Sequence, residues 1–280
     1  MKTVIFTVDV EQDLQPYSSG TTVGIVDGLP PLLDLLDEQG IHADFFFQAS
    51  ILNRHGSFAR KTISRGHGVG SHGWSHDLLC EKHPSEQREE IARADAKIEE
   101  ATGTRPRIFR APNFSISGIS LEYLSSLGYV ADSSVMPLRV LRRWRIWPIY
   151  DFRDAPLQPY RPSGATVIRA GRLRIIEVPL AVNRDRPGTP LGAGSINAFG
   201  VERTLRMVVD YPGDVVVLLT HPWELIDLGE IVAGLPEGYA RACSSDLAAL
   251  TEFLSRVRTQ AKFSSIEQVF QEWTGRTLNQ

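Results

Sequence analysis

Short apolar runs alternate along this chain with longer amphipathic segments. Compact apolar or β-branched runs bounded by turn-formers read as strands; apolar positions recurring every three or four residues read as helices. On that basis strands are predicted over residues 3–8, 43–48, 68–71, 107–110, 174–178 and 215–220. Helices are predicted over 24–39, 85–101, 119–127, 201–209 and 245–259. The segment 85–101 places Ile91, Ala94 and Ile98 on one face, is stopped by Gly103, and precedes Pro106 and the next strand. Val215 to Leu219 is apolar at every position, which suits a strand covered on both faces of a parallel sheet. Alternation of this kind predicts the α/β class, with a parallel sheet or barrel. Residues 137–162, rich in Pro, Arg and aromatics, interrupt the rhythm. Strand patterns resume on both sides, so they read as an insertion within one domain spanning 1–280 rather than a linker.

Composition narrows the picture. With 42% hydrophobic residues in 280, the chain can bury a sizeable core. A net charge of -3 gives no general pull toward nucleic acid or anionic surfaces. Two cysteines, Cys80 and Cys243, do not make a disulfide framework. No stretch approaches the roughly 20 apolar residues of a membrane span. The opening MKTVIFTVDVE reads as a strand and not as a signal peptide. The expectation is therefore a cytoplasmic protein, with work at the inner membrane face as one option.

Four short segments carry candidate chemistry. Asp9 and Glu11 lie two apart at a strand end, so their carboxylates share a face where parallel α/β folds build sites; the alternative is a solvated acidic end. His72 and His76 lie four apart, a spacing at which a helical turn brings both imidazoles to one side as metal ligands. Gly73 stands where an H-E-x-x-H metalloprotease would carry its base, which excludes that reading. His42, His55, His67 and His83 have no such company and read as surface or turn residues. Arg110, beside the turn at Pro112, is either a carboxylate clamp or a surface cation. His221 follows the strand 215–220 at its C-terminal end, placed for proton transfer or for a structural cap, and Glu224 either orients a neighbour or is solvated.

Taken in order, Asp-x-Glu, His-x-x-x-His, Arg-x-Pro and strand-His resemble the polysaccharide deacetylase family (NodB homology, carbohydrate esterase family 4). The segments FRAPNFS, ADSS and THPWE resemble its exopolysaccharide-associated branch. The resemblance runs from Thr7 to Glu224 and implies a distorted (β/α)7 barrel with the site at its C-terminal mouth. It implies Asp9 as catalytic base, Glu11, His72 and His76 as metal ligands, Arg110 as the group holding Asp9, and His221 as general acid. Asp132 would be a supporting carboxylate near Arg110 or His221, and the Asn113 N–H would face the oxyanion. Trp74, Phe114 and Trp223, adjoining these motifs, are assigned to the substrate. This chain departs from the family's adjacent Asp pair followed by Gly; Asp9, Val10, Glu11 and Gln12 stand there, with Asp13 as an alternative ligand.

The implied cofactor is one divalent metal, Zn2+ by its ligand set, with Co2+, Ni2+ or Fe2+ as substitutes. The implied activity is N-deacetylation of an acylated amino sugar, free, nucleotide-linked or lipid-linked. Deformylation, O-deacetylation or cyclic-amide hydrolysis on the same site are alternatives, as is a catalytically dead carbohydrate-binding barrel. Arg142, Arg143 and Arg145 with Trp144 and Trp147 could grip phosphate, a sugar or a membrane interface, or form a solvated loop over the barrel.

Overall fold

The computed structural model describes residues 1–14 and 20–277. Its strands are β1 (Lys2–Val10), β2 (Asp44–Phe47), β3 (Gly68–Ser71), β4 (Ile108–Phe109), β5 (Ala131–Asp132), β6 (Val140–Arg143), β7 (Trp147–Asp151), β8 (Ile176–Glu177), β9 (Val215–Thr220) and β10 (Ala261–Ser264). The helices are α1 (Leu29–Gln39), α2 (Leu52–Ser64), α3 (Pro84–Thr102), α4 (Gly118–Ser126), α5 (Ala193–Phe199), α6 (Val201–Val209), α7 (Leu228–Ile231), α8 (Glu237–Ala240), α9 (Ala248–Arg258) and α10 (Ile266–Thr277).

β1 is the hub. β9 runs along one edge of it, while β10 and then β2 share the other, pairing with residues 2–5 and 7–10 in turn. The order continues β2-β3-β4-β5-β8, every pair parallel. A parallel bridge between Leu180 and Val217 joins the far side back to β9. Seven strands thus ring the centre, the distorted barrel implied by the motifs.

Side-chain alternation explains what faces where. Val4, Phe6, Val8 and Val10 pack outward with Leu32, Leu36, Phe253 and Leu254 of the covering helices. Ile5 joins Phe46, Phe109, Val217 and Leu219 in a separate cluster. Thr7 and Asp9 follow Ile5 at the strand's period of two, so they point to the same inner side.

Several predicted elements are shorter than the hydrophobic pattern suggested. Strand pairing over 107–110 and 174–178 is confined to two residues each, because neighbouring barrel strands leave register after one or two hydrogen bonds. The predicted helix 24–39 is broken: a wide turn over Gly24–Gly28 precedes α1. Pro30 and Pro31 lack N–H donors and so favour a helix's first turn over its interior. The helix predicted over 245–259 begins at Ala248. The insertion contains the antiparallel hairpin β6–β7, which forms a sheet of its own. One histidine differs from expectation, since His67 is buried; His83 is exposed as expected and caps α3 in a capping box with Glu86. Burial pushes His67 down to about 4.

Asp44, at the start of β2, is buried and accepts the Ile266 N–H that opens α10, at 2.7 Å. Burial raises its carboxyl to about 7; the Ile266 hydrogen bond opposes this and Glu267 adds to it. The folded protein therefore binds this proton more tightly than the unfolded chain, whose ordinary value is 3.8. The associated stability is present below about pH 4 and is lost as pH rises toward 7. Asp44→Asn keeps an acceptor for Ile266 without the charge. Relative to wild type, the variant should gain roughly 4–5 kcal/mol at most between pH 4 and 8, taking about 1.4 kcal/mol per pKa unit. Denaturant unfolding of both proteins across that range checks it; parallel curves would contradict it.

Candidate active site

A cavity of about 490 Å³ opens at the C-terminal side of the strands. Asp9, Glu11, His72, His76, Asn113, Phe114, His221, Trp223 and Glu224 all line it.

Arg110 organises its floor. The side chain follows β4, is fully buried, and lies under the inner face of β1 with its guanidinium 4.3 Å from the Phe46 ring. Nη1 donates to Asp9 Oδ1 at 2.7 Å and to Thr7 Oγ1 at 2.9 Å. Nε donates to the Ser133 carbonyl at 2.8 Å, and Nη2 to Ser133 Oγ at 2.9 Å. Four of the five donors are satisfied, which a buried cation requires. One Asp9 oxygen is fixed by this contact. The clamp reading of Arg110 is the one the geometry supports, while Ser133 was not foreseen as its partner.

Beside Asp9, Glu11 meets both histidines: its Oε2 lies 3.1 Å from His72 Nε2 and 2.5 Å from His76 Nε2. One ligand atom from each of the three residues falls within 4.8 Å of the others. His72 Nδ1 lies 2.9 Å from the Arg110 carbonyl, so Nδ1 carries the proton and Nε2 presents its lone pair to the cluster. Two imidazoles and a carboxylate converging in this way fit a divalent ion with an open position. Burial would raise the Glu11 carboxyl, but His76, His72 and His221 outweigh it and hold it well below the usual range. Conversely, burial pulls His76 down and Glu11 more than restores it, leaving it raised.

The two histidines do not sit on a helical turn. They occupy a bent loop after β3, where Gly73 adopts φ +70°, a left-handed conformation that glycine takes without strain. Asp13 is no ligand: it accepts from the Val23 and Gly24 N–H groups and the Thr21 hydroxyl, tying down the turn before α1. Trp74 does not line the cavity, because its ring is covered by Arg93, 3.5 Å from its centroid.

His221 caps the other wall. Its N–H donates to Glu224 Oε2 at 2.9 Å, and its Nδ1 is buried 3.6 Å from Glu224 Oε1. Nε2 lies 3.7 Å from Glu11 Oε1. The Trp223 ring stacks on the imidazole at 4.4 Å. Burial lowers the affinity of His221 for a proton, but Glu224, Glu11 and Asp9 outweigh it and push the group up to about 9.

Asn113 has φ 51°, an uncommon conformation for a residue other than glycine, and its N–H makes no hydrogen bond among the described residues. Its side-chain amide lies 3.3 Å from His76 Nδ1. Asp132 lies close enough to feel the Arg110 charge, as expected, but makes no hydrogen bond to Arg110 or His221 among the described residues. Fully buried, it accepts from the Ser134 hydroxyl at 2.6 Å and faces Glu177, while Arg110 turns to Ser133 instead. Burial raises both carboxyls, so the pair holds a proton rather than two charges. Glu177 lay in a predicted strand with nothing in its sequence to mark it.

Residues 2–131 match the family model described as polysaccharide deacetylase. A chitin deacetylase from Pestalotiopsis sp is 30% identical over 35% of this chain and 34% of its own length. A peptidoglycan deacetylase from Helicobacter pylori is 28% identical over 45% of this chain and 43% of its own. The matches thus span less than half of those relatives. A solved structure from Mycobacterium smegmatis, named for the polysaccharide deacetylases, superposes with a TM-score of 0.67, covering 98% of this chain and 91% of that one at 22% identity. The family-model match over residues 2–131, the deacetylase relatives and the barrel together support the polysaccharide deacetylase family of NodB homology for this chain.

Proposed function

We propose that this protein is a metal-dependent hydrolase that removes an acyl group, in first instance acetyl, from the nitrogen of an amino sugar. The observation that carries the reading is the convergence of three groupings in one cavity: Glu11 with His72 and His76, Asp9 on Arg110, and His221 on Glu224. Chitin and peptidoglycan deacetylases among its relatives point to the same substrate class.

Glu11, His72 and His76 would hold the ion. When bound, a divalent cation polarises a carbonyl oxygen and makes nearby water easier to deprotonate, and zinc suits this ligand set. The rest falls to the chain's own groups. Asp9, fixed on one oxygen by Arg110, takes a proton from water as the water oxygen attacks the amide carbon. The Asn113 N–H donates to the developing oxyanion. His221, protonated at neutral pH, gives its proton to the amide nitrogen, so the C–N bond breaks to amine and carboxylate. Phe114 and Trp223 offer apolar faces for the sugar ring.

Arg139 and Arg186 also line the cavity, and neither lies within salt-bridge distance of a carboxylate among the described residues. Planar guanidinium groups suit phosphate, which favours a nucleotide-linked or lipid-linked sugar over a neutral one.

The test is product analysis by mass spectrometry with metal-loaded protein on acylated amino sugars, free, nucleotide-linked and lipid-linked. Release of acetate with a free amine is expected. A different hydrolysis product would reassign the reaction, and no product from any of them would remove the proposal.

His221 supplies a further prediction. His221→Ala should lower turnover about 10²–10⁴-fold. Glu224→Gln should leave the metal in place but remove the carboxylate that favours the imidazolium. The active, protonated form would then be lost at lower pH, so the alkaline limb of the kcat/KM profile moves down. An unmoved limb would show that Glu224 does not act through His221.

A further inference from the structure

Apart from Met1, the most exposed large apolar side chains of the described residues gather at one point outside the site. Trp144 is 79% exposed, Ile146 66% and Trp147 65%, all at the turn of the β6–β7 hairpin. Trp144 and Arg145 occupy its central positions with φ 49° and 63°, and the Ile146 N–H closes it on the Arg143 carbonyl at 3.0 Å. Both positive φ values belong to a turn that Asn and Gly fill without strain. Trp and Arg are held there at a steric cost, so the tip is not built for folding alone.

The charged residues of the hairpin tip itself are all arginines, with Glu81 and Asp151 the carboxylates that flank them. Arg142 and Arg145 are exposed, and neither has a carboxylate within salt-bridge distance among the described residues; Arg142 Nη1 bonds the Ile146 carbonyl instead. Arg143 alone is answered, by Glu81 at 2.6 Å. The other end of the hairpin touches the cavity wall, since Tyr150 donates to the Asn113 carbonyl at 2.9 Å and Arg139 precedes β6. None of Trp144, Ile146 and Trp147 lines the cavity. At about 3.3 Å per residue, four residues of β6 separate the tip from that wall by roughly 13 Å.

We propose that this tip docks the protein on an anionic lipid bilayer, with Trp144, Ile146 and Trp147 in the interfacial region and Arg142 and Arg145 on the headgroup phosphates. Indole rings with an apolar body and a polar edge prefer the membrane–water boundary. Arginines beside them add electrostatic attraction to anionic lipid. A narrow protruding tip can enter a fluid interface, but it cannot supply the roughly 800 Å² per partner of a standard protein–protein contact. Docking would hold the cavity mouth close to the headgroups. This inference stands apart from the proposed reaction, because it uses no residue of the site.

The experiment is sedimentation of the full chain with vesicles of phosphatidylglycerol and phosphatidylcholine, against phosphatidylcholine alone, at low and high salt. Binding is expected to the anionic vesicles, weakened by salt. Arg142→Gln with Arg145→Gln should weaken it about twenty-five-fold, taking roughly fivefold for each arginine near such a surface. Trp144→Ser with Trp147→Ser should weaken it tenfold or more while hydrolysis of a water-soluble substrate stays unchanged. Brominated acyl chains should quench the wild-type tryptophan emission, a readout that needs no variant. Failure to bind anionic vesicles, absence of quenching, or undiminished binding of the tryptophan variant would each overturn the proposal. A tip serving a second copy of the chain would give the first of these results together with dimers in light scattering.

Discussion

Replacing His72 and His76 together with alanine should reduce bound divalent metal from one ion per chain to background and take hydrolysis below detection. Each imidazole is aimed by a contact outside the cluster: His72 by the Arg110 carbonyl, His76 by a loop whose left-handed Gly73 returns the chain toward Glu11. A single carboxylate left in place cannot retain a transition metal against water and buffer. The fold should persist, since neither ring belongs to the apolar clusters that join sheet and helices. Removing the ion from the wild-type protein with a chelator should likewise abolish turnover, and zinc should restore it. Elemental analysis of the purified variant decides the matter. Full metal occupancy in the double variant would mean that the ion binds elsewhere.

Much of this site could be read from spacing, and the reason is geometric. In a parallel barrel the strand ends converge at one mouth, so residues placed at those ends become neighbours whatever their separation in the chain. Asp9, Glu11, His72 and His221 all stand at such ends, and all four line the cavity. What escaped the pattern lies across the barrel. The Arg110 bond to Asp9, 101 residues away, is expected from the family resemblance alone, while its bonds to Thr7 and Ser133 have no signal in spacing at all. The Asp132–Glu177 pair is of the same type, and an acidic residue in a short strand looks solvated until its neighbours are known. Trp74 misled for the opposite reason. It adjoins His72 in sequence, but the turn at Gly73 sends its ring to Arg93 on α3. The sheet's two-residue strands were overestimated because apolar runs continue past the point where neighbouring strands cease to pair.

The exchange of Asp9 for asparagine separates proton transfer from everything else the residue does. Asparagine has nearly the same shape and keeps an oxygen for the Arg110 guanidinium, which now reaches Asp9 Oδ1 at 2.7 Å. It cannot accept a proton from water. Turnover should therefore fall about 10²–10⁴-fold, while the metal content stays at one ion per chain. There is a second cost, because the fully buried Arg110 loses its counter-charge. Removing one partner of a buried pair destabilises by about 3–5 kcal/mol when the other charge is left alone. The remaining bonds of Arg110 to Ser133 and Thr7 should keep the loss toward or below that range. The two effects are told apart by measuring Tm, metal content and kcat on the same preparation. A folded, metal-loaded Asp9→Asn protein with near-normal kcat would show that another group removes the proton, with Glu224 across the cavity next in line. A protein that recovers turnover in Arg110→Lys but not in Arg110→Met would place the role of Arg110 in its charge beside Asp9.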